Sequence, residues 1–268
     1  MLLAIDIGNT NIKYGVFDKD SLKASFRVSS RLNRTADEYG AVLLNLLSSE
    51  KITVKDIDGI IVSSVIPSLN YTIRHMCEFF FNVTPLFVGH GIKTGLNVKA
   101  DHPKEVGADR IVNSVAAWRK YGKNGEPLVV IDFGTATTFN ILTDATFIGG
   151  VIAPGIKTSL ESLVSGTAQL PMIELKAPKT VIARDTETNM QAGIIFGFAG
   201  LVEKIVGKIK SELGVDGIKV VATGGMGEVI AKEVSVITTF DRKLTLEGLK
   251  IIYDLNAKAR RFYIKVYT

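Results

Sequence analysis

Two stretches of the chain repeat one order of apolar and polar segments. In each, an apolar run ends in Asp-x-Gly, at Asp6-Ile7-Gly8 and at Asp132-Phe133-Gly134, and two further apolar runs follow. Short apolar runs bounded by turn residues predict strands. The predicted strands are residues 2–7, 11–17 and 22–28 in the first stretch, and 128–132, 138–142 and 145–152 in the second. The distance along the chain between the motifs at Asp6 and Asp132 exceeds the period of solenoid repeats. The pattern therefore predicts two similar α/β domains.

Helical periodicity and further apolar runs complete each stretch. Thr35 and Glu38 form a capping-box pattern, which predicts that a helix begins after Thr35. The other predicted helices are 68–81, 104–120, 156–164, 187–213 and 245–260, and the other predicted strands are 59–63, 85–88 and 219–223. A turn-rich segment at residues 121–125 predicts the boundary between domains of residues 1–120 and 121–268. Residues 262–267 alternate in polarity like an edge strand.

Composition narrows the class of protein. The chain has 268 residues, of which 46% are hydrophobic and 22% charged, as in ordinary globular proteins. The lone Cys77 lies in a helical pattern, which indicates a buried small hydrophobe, and the three histidines lack metal-ligand spacing. Neither a signal peptide nor a membrane span is evident, so we expect a cytoplasmic protein.

The net charge of +5 suits an anionic ligand such as a nucleotide. The chain lacks the signatures of the common nucleic-acid-binding modules, so we expect no nucleic-acid partner and no membrane partner. We interpret the densest basic cluster as a solvated helix end and tail; it comprises Lys258, Arg260, Arg261 and Lys265.

The first Asp-x-Gly motif has the residues of a phosphate-binding hairpin. Gly8 allows backbone amides to approach a phosphate, and Asn9 and Thr10 add short hydrogen-bonding side chains. Lys13 supplies a positive charge for a terminal phosphate, and Asp6 is placed to hold Mg²⁺ through water. The same residues are also common in plain hairpins, so this motif alone does not establish a site.

Two more loops strengthen the interpretation. Asp132 and Gly134 precede a run of hydroxyl residues that begins at Thr135, which predicts a second phosphate hairpin. Gly224 and Gly225 end an apolar strand, and paired glycines allow a flat ring to lie against the backbone. The dinucleotide G-x-G-x-x-G fingerprint and the P-loop are absent from the sequence.

A fourth segment, Gly107-Ala108-Asp109-Arg110, sets an acid beside an arginine near a predicted helix start. A kinase that phosphorylates an alcohol needs a carboxylate to accept the hydroxyl proton. It also needs a cation if the substrate carries a carboxylate. Asp109 and Arg110 meet these two needs, although a surface ion pair is the plainer alternative.

The three loops, in this order, resemble those of the actin, hexokinase and chaperone ATPase superfamily. That resemblance implies two ribonuclease H-like domains with mixed sheets flanked by helices and with ATP bound between them. Nearly the whole chain is similar to type III pantothenate kinases. The motifs that carry this similarity are Asp6-x-Gly8-Asn9-Thr10-x-x-Lys13, Val106–Asn113, Ile131–Thr138, Gly149–Gly155, Thr186 with Met190–Gly193, Ala222–Gly225 and Leu244–Leu249.

The resemblance implies roles for individual residues. Asp109 would be the general base, Asp132 would hold K⁺ or NH₄⁺, and Thr186 would contact pantothenate. The resemblance further implies contacts to pantothenate at Gly107, Ala108, Asp109 and Arg110. It implies contacts to ATP at Asp6, Gly8, Asn9, Thr10, Lys13, Thr135, Gly224 and Gly225. It also implies a homodimer and Mg-ATP-dependent formation of 4'-phosphopantothenate, the first step towards coenzyme A.

Two positions depart from the family pattern. Ala100 stands where the family usually has an aromatic residue, most often Tyr, and Ala192 replaces a common Ser. Ala100 leaves open a kinase of the same fold that acts on another hydroxylated substrate. A non-catalytic nucleotide-binding regulator is the second alternative. Retention of Asp6, Lys13 and Asp109 argues against it.

Overall fold

The computed structural model describes residues 1–122 and 125–267, with side chains as far as Ala257. The chain forms two compact units. The first comprises Met1–Leu96, Asp101–Ala116 and the chain from Thr245 onward, and the second comprises Asn97–Ala100 and Ala117–Leu244. Both are α/β, as the sequence predicts.

The first unit is built on a mixed sheet of five strands within the described residues. In chain order they are β1 (Leu2–Ile7), β2 (Asn11–Asp18), β3 (Ser21–Ser29), β4 (Gly59–Ser64) and β5 (Leu86–Phe87). Their order in the sheet is β3-β2-β1-β4-β5. β1 pairs antiparallel with β2 and parallel with β4, so the first predicted hairpin lies beside the buried strand at 59–64.

Helices α1 (Ala36–Ser49) and α2 (Pro67–Phe81) cover one face of this sheet. The predicted capping box of α1 is confirmed, since the Thr35 side chain accepts from the Glu38 N–H and Glu38 accepts from the Thr35 N–H. Cys77 is fully buried in this core, as predicted, and burial raises the pKa of its thiol to about 12.

The second unit repeats this plan. Its described strands are β6 (Asn97–Val98), β7 (Leu128–Phe133), β8 (Ala136–Thr143), β9 (Thr146–Pro154), β10 (Lys219–Thr223) and β11 (Thr239–Phe240). Their order is β11-β10-β7-β8-β9-β6, which is the order of the first sheet with β6 added at one edge. Helices α4 (Ile156–Ser165), α5 (Thr186–Leu213) and α6 (Gly227–Ala231) belong to this unit, and α5 supplies Val202 and Val206 to its core.

The two hairpin sets correspond strand by strand. β1, β2 and β3 have 6, 8 and 9 residues, as do β7, β8 and β9. Both sets carry an irregularity in the second hairpin, at Val16/Phe17 and at Ile141/Leu142. The repeat that the sequence predicts therefore extends to local details of strand pairing.

The last helix, α7 (Leu244–Tyr267), differs from the prediction in its unit and its length. The predicted boundary assigns residues 245–268 to the second domain, whereas the chain from Thr245 onward is part of the first unit. The amide of Asn256 exchanges hydrogen bonds with the backbone of Lys93, and Lys250 pairs with Asp20 at 3.1 Å. These contacts hold α7 to the first unit.

Two local predictions are also wrong. α3 (Ala108–Tyr121) begins at Ala108 and not at Lys104, because Pro103–Glu105 form a separate 3₁₀ turn. Residues 262–267 are helical and not an edge strand, since α7 continues to Tyr267. The predicted linker includes residues 123 and 124, which lie outside the described residues, as do the side chains of the basic cluster at 258–265.

Candidate active site

The loop between β1 and β2 is held by backbone contacts. The Gly8 N–H donates to the Asn11 carbonyl at 3.0 Å and closes the turn. The Ser30 hydroxyl donates to the Gly8 carbonyl at 2.5 Å, and the Ser30 N–H donates to the Thr10 carbonyl at 3.0 Å. The side chains of Asn9 and Thr10 are exposed. The loop thus has a fixed backbone and exposed polar side chains.

Asp6 and Lys13 lie on the sheet face opposite the α1–α2 core. The residues that flank Asp6 point into that core, and side chains alternate between the faces of a strand. Asp6 and Lys13 are direct cross-strand partners, and their side chains form an ion pair at 3.6 Å. Asp6 is buried at 6% exposure. The structure therefore places an acid and a lysine together at the predicted phosphate loop.

Asp109 lies in the first turn of α3, where its carboxylate Oδ1 accepts a 2.8 Å hydrogen bond from the Arg110 N–H. Burial raises the pKa of the Asp109 carboxyl above its usual range, and this rise is partly offset by the Arg110 N–H and by the Arg110 and Lys13 charges. Burial also lowers the pKa of the Arg110 guanidinium, an effect that Asp109 opposes. A carboxylate with a raised pKa is a stronger base, which suits the acceptance of a proton.

Gly107 leaves room for this carboxylate. A Cβ at residue 107 would lie 2.5 Å from Asp109 Oδ1, closer than non-bonded atoms can approach. Any side chain here would displace the Asp109 carboxylate. The absence of a side chain at Gly107 thus allows the Asp109 carboxylate to occupy its position. The sequence motif alone did not reveal this requirement.

The second predicted phosphate loop, between β7 and β8, is held from the start of α4. The Thr135 carbonyl accepts from the Gly155 N–H at 3.1 Å and from the Thr158 hydroxyl at 2.8 Å. The Gly134 N–H donates to the Ala136 carbonyl at 3.1 Å. Gly155 belongs to a motif of the sequence analysis, whereas no sequence signal indicated Thr158.

The Gly224–Gly225 loop that follows β10 packs against this second loop. Thr223 is the register partner of Asp132 on the parallel strand β7. Gly224 adopts a φ of +108°, and a Cβ there would lie 2.5 Å from the Phe133 carbonyl oxygen. Only glycine combines this backbone conformation with so close an approach. The second unit therefore brings Asp132, Thr135 and the Gly224–Gly225 pair to one end of its sheet.

Thr186 lies elsewhere in the second unit. It is the first residue of α5 and is exposed, next to the N-cap Asp185, which accepts from the Thr188 N–H at 2.9 Å. It lines a groove of about 560 Å³ with residues of α4, α5 and the segment between them. Neither glycine loop contributes to the lining of this groove.

Each of the two loops has one acidic residue, Asp6 or Asp132, and this restricts the metal ions that the loop can bind. No group of three or more His, Cys, Asp or Glu side chains able to hold a metal occurs in the part of the chain described. A single carboxylate at each loop suits a hydrated ion that also contacts phosphate, as Mg²⁺ does in kinases. Beside Asp6, the buried hydroxyl of Ser63 has no hydrogen-bond partner within the described part of the chain, which fits a water bound at this position.

The fold and these loops define a class of protein. Each of the two units has a mixed sheet flanked by helices, with a hairpin that begins at Asp-x-Gly. The family model described as type III pantothenate kinase matches residues 2–208. The chain belongs to the type III pantothenate kinase family, and it is a phosphotransferase. This fold implies ATP together with a divalent metal ion.

Solved structures support the fold assignment. A protein from Campylobacter jejuni described as a Baf family transcriptional activator has a TM-score of 0.60 and 20% identity, covering 96% of this chain and 99% of that chain. A Sinorhizobium meliloti protein described as a 2-dehydro-3-deoxygalactonokinase has a TM-score of 0.59 and 13% identity, with coverages of 94% and 96%. The 2-hydroxyglutaryl-CoA dehydratase component A of Acidaminococcus fermentans has a TM-score of 0.53 and 13% identity, with the same coverages. At these identities the similarity shows the fold alone.

Within the described residues, no helix combines the length and apolar character needed to cross a membrane.

Proposed function

We propose that this protein transfers the terminal phosphoryl group of ATP to pantothenate, with Asp109 as the general base. The observation that carries the proposal is the half-buried Asp109 carboxylate, oriented by the Arg110 N–H at 2.8 Å and set in a segment of the family pattern. The product is 4'-phosphopantothenate, the first intermediate on the way to coenzyme A.

The loops would bind the nucleotide by its phosphates and its base. Backbone amides near Gly8 and the side chains of Asn9 and Thr10 would contact the phosphates, and Lys13 would neutralise the terminal one. Thr135 would contact ATP from the second unit, and Gly224 and Gly225 would support the adenosine. Asp6 would hold the magnesium ion of Mg-ATP through water.

The reaction needs one proton transfer and one phosphoryl transfer. The terminal hydroxyl oxygen of pantothenate attacks the γ-phosphorus, the bond to the β–γ bridging oxygen breaks, and ADP leaves. Asp109 accepts the hydroxyl proton, while Arg110 pairs with the carboxylate of pantothenate. Positioning and charge neutralisation supply most of the rate enhancement.

Three further parts of the proposal concern a cation, the substrate contact and assembly. Asp132 would hold a monovalent cation, K⁺ or NH₄⁺, and its single carboxylate suits a weakly bound ion. Thr186 would contact pantothenate from its exposed position at the start of α5. The protein would form a homodimer, which light scattering of the purified protein tests directly.

The test of the function is ADP release from Mg-ATP, with and without pantothenate, in potassium and in sodium buffer. We expect release that depends on pantothenate and is faster in potassium. Equal ADP release in both buffers would contradict the cation role of Asp132, while the proposed kinase activity would still stand. No release from folded protein would overturn the proposal, and release with another hydroxy acid or a sugar would reassign the substrate.

Asp109→Asn tests the base. The amide keeps an acceptor for the Arg110 N–H but cannot take a proton, so we expect kcat to fall by roughly 10²–10⁴-fold while ATP binding is retained. Steady-state kinetics and calorimetric ATP titration measure the two quantities. Asp101→Asn, an exposed aspartate in the same region, is the matched control and should leave kcat unchanged. Wild-type kcat in Asp109→Asn would refute the assignment.

A further inference from the structure

Ser63 is a buried polar residue whose hydroxyl takes no part in the hydrogen bonding of the described fold. It lies near the end of β4 with 0% exposure, and its hydroxyl has no hydrogen-bond partner among the described residues. The three residues before it, Ile60–Val62, are all apolar. Burying a hydroxyl without a partner costs about 1–3 kcal/mol, so packing alone would favour alanine at this position.

The neighbour of Ser63 across the sheet is the acid of the first phosphate loop. β1 and β4 are parallel, and Asp6 is the register partner of Ser63. Val62 points into the α1–α2 core, so Ser63 points to the opposite face, which also carries Asp6. Neighbouring strands lie about 4.8 Å apart, a separation that one water molecule can bridge between the two side chains.

Other buried polar atoms do not share this setting. The described strands contain two more side chains whose buried hydroxyl has no hydrogen-bond partner among the described residues, Tyr14 and Thr137. Neither of these is in register with an acidic residue. The position of Ser63 beside Asp6 therefore separates it from the rest.

We propose that Ser63 is a positioning residue for the magnesium ion of Mg-ATP, acting through a water molecule shared with the Asp6 carboxylate. The inference rests on the proposed function, and it adds a residue that neither the motifs nor the family pattern assigned. The hydroxyl donates to or accepts from that water and so fixes the orientation of the carboxylate that faces the hydrated ion. Partners that orient a metal-binding carboxylate in this way typically change metal affinity by about 10–100-fold.

The experiment compares the wild type with Ser63→Ala and Ser64→Ala. Ser64 is the matched control, because it is adjacent in sequence and its hydroxyl already bonds to the backbone of Ile66 at 3.2 Å. ATP affinity is measured by calorimetry across a series of free Mg²⁺ concentrations and again in EDTA. Thermal unfolding is followed for all three proteins.

We expect Ser63→Ala to raise the Mg²⁺ concentration needed for half-maximal enhancement of ATP affinity by about tenfold or more. Its ATP affinity in EDTA should equal that of the wild type, and its melting temperature should be equal or higher. Ser64→Ala should match the wild-type Mg²⁺ response.

Three outcomes would overturn the inference. The first is a wild-type Mg²⁺ response in Ser63→Ala. The second is an equal loss of ATP affinity with and without Mg²⁺, which would mean that the hydroxyl supports the loop and not the metal. The third is absence of Mg-ATP binding in the wild type, which would remove the proposed function as well and is thereby distinguishable from the first two.

Discussion

At the scale of single residues, the proposed chemistry depends on where one carboxylate is held. Asp109 is half-buried and accepts a hydrogen bond from the next backbone N–H, and a Cβ at Gly107 would lie 2.5 Å from its Oδ1. The sequence predicted the acid, because Asp-Arg near a helix start suits a kinase. It did not reveal the need for glycine two residues earlier, since that need follows from a side-chain position that only the structure gives.

Gly107→Ala tests this dependence. The new Cβ would stand 2.5 Å from Asp109 Oδ1, so the carboxylate must move. We expect kcat to fall by about 100-fold, since misplacement of a catalytic group by about 1 Å costs this much. The free energy of unfolding should change by less than about 1 kcal/mol, because the atom that yields is the end of a side chain.

Gly207→Ala is the matched control for that variant. A Cβ at Gly207, in α5, would meet no atom within 4 Å. We expect the change to stabilise the protein by about 0.5–1 kcal/mol and to leave kcat unaltered. Undiminished kcat in Gly107→Ala would show that Asp109 does not need its present position.

The raised pKa of Asp109 has a consequence for stability. A group whose folded-state pKa is raised contributes stability at low pH and loses it as the pH rises through the folded pKa. The ionised Asp109 therefore weakens folding at neutral pH. We expect Asp109→Asn to melt at a higher temperature than the wild type at neutral pH, with the difference narrowing in acid. Thermal unfolding across that range measures it, and a lower melting temperature at neutral pH would contradict the direction.

At the scale of elements, the end of α3 is held by a second aspartate, Asp241. Its pKa is shifted in the direction opposite to that of Asp109. Asp241, after β11, pairs with Lys120 and accepts from the Tyr121 hydroxyl at 2.8 Å and from the Lys243 N–H at 2.9 Å. Burial alone would raise the pKa of Asp241, but the hydrogen bonds from Lys120 and Tyr121 outweigh it and lower the pKa.

Asp241→Asn should therefore destabilise the protein by about 1.5–3 kcal/mol at neutral pH, the usual range for hydrogen bonds to a charged group. Because the folded-state pKa of Asp241 is lowered, its contribution is present above the unfolded pKa and is lost as the pH falls through the folded pKa. Urea unfolding of both proteins at neutral and acid pH measures the difference.

Asp18→Asn, which alters an exposed pair with Lys23 at 3.9 Å, should have little effect at either pH. A pH-independent loss in Asp241→Asn would mean that the charge of Asp241 is not what stabilises the end of α3.

The elements that the sequence predicted are those with strong local signals. The two hairpin sets and the capping box of α1 follow from apolar runs and turn residues. β6 and β11 were missed because two residues carry no alternation. The start of α3 was misplaced because Pro103 begins a 3₁₀ turn as readily as a helix. Alternating polarity at 262–267 suited a strand, but the chain there continues the helix.

At the scale of the whole molecule, sequence order and structural units differ. The first unit takes its final helix from the end of the chain, after all strands of the second unit. Nothing local in residues 245–260 indicates which sheet they join, because an amphipathic face fits any apolar surface. The hydrogen bonds of Asn256 with Lys93 are contacts of long sequence separation, which periodicity does not encode.

Leu249→Ala tests the assignment of α7 to the first unit. Leu249 is fully buried, so the change should lower the free energy of unfolding by about 2–5 kcal/mol. Hydrogen exchange followed by mass spectrometry locates the loss. We expect amides of β1, β2 and β4 to exchange faster, since local opening reflects the unit that loses its packing.

Val202→Ala is the reciprocal control, because Val202 is fully buried in the core of the second unit. It should speed exchange in β7, β8 and β10 and leave the first sheet protected. If Leu249→Ala instead loosened β7 and β10 while β1 and β4 stayed protected, α7 would stabilise the second unit. The boundary near residue 121 would then describe the protein better than the discontinuous first unit does.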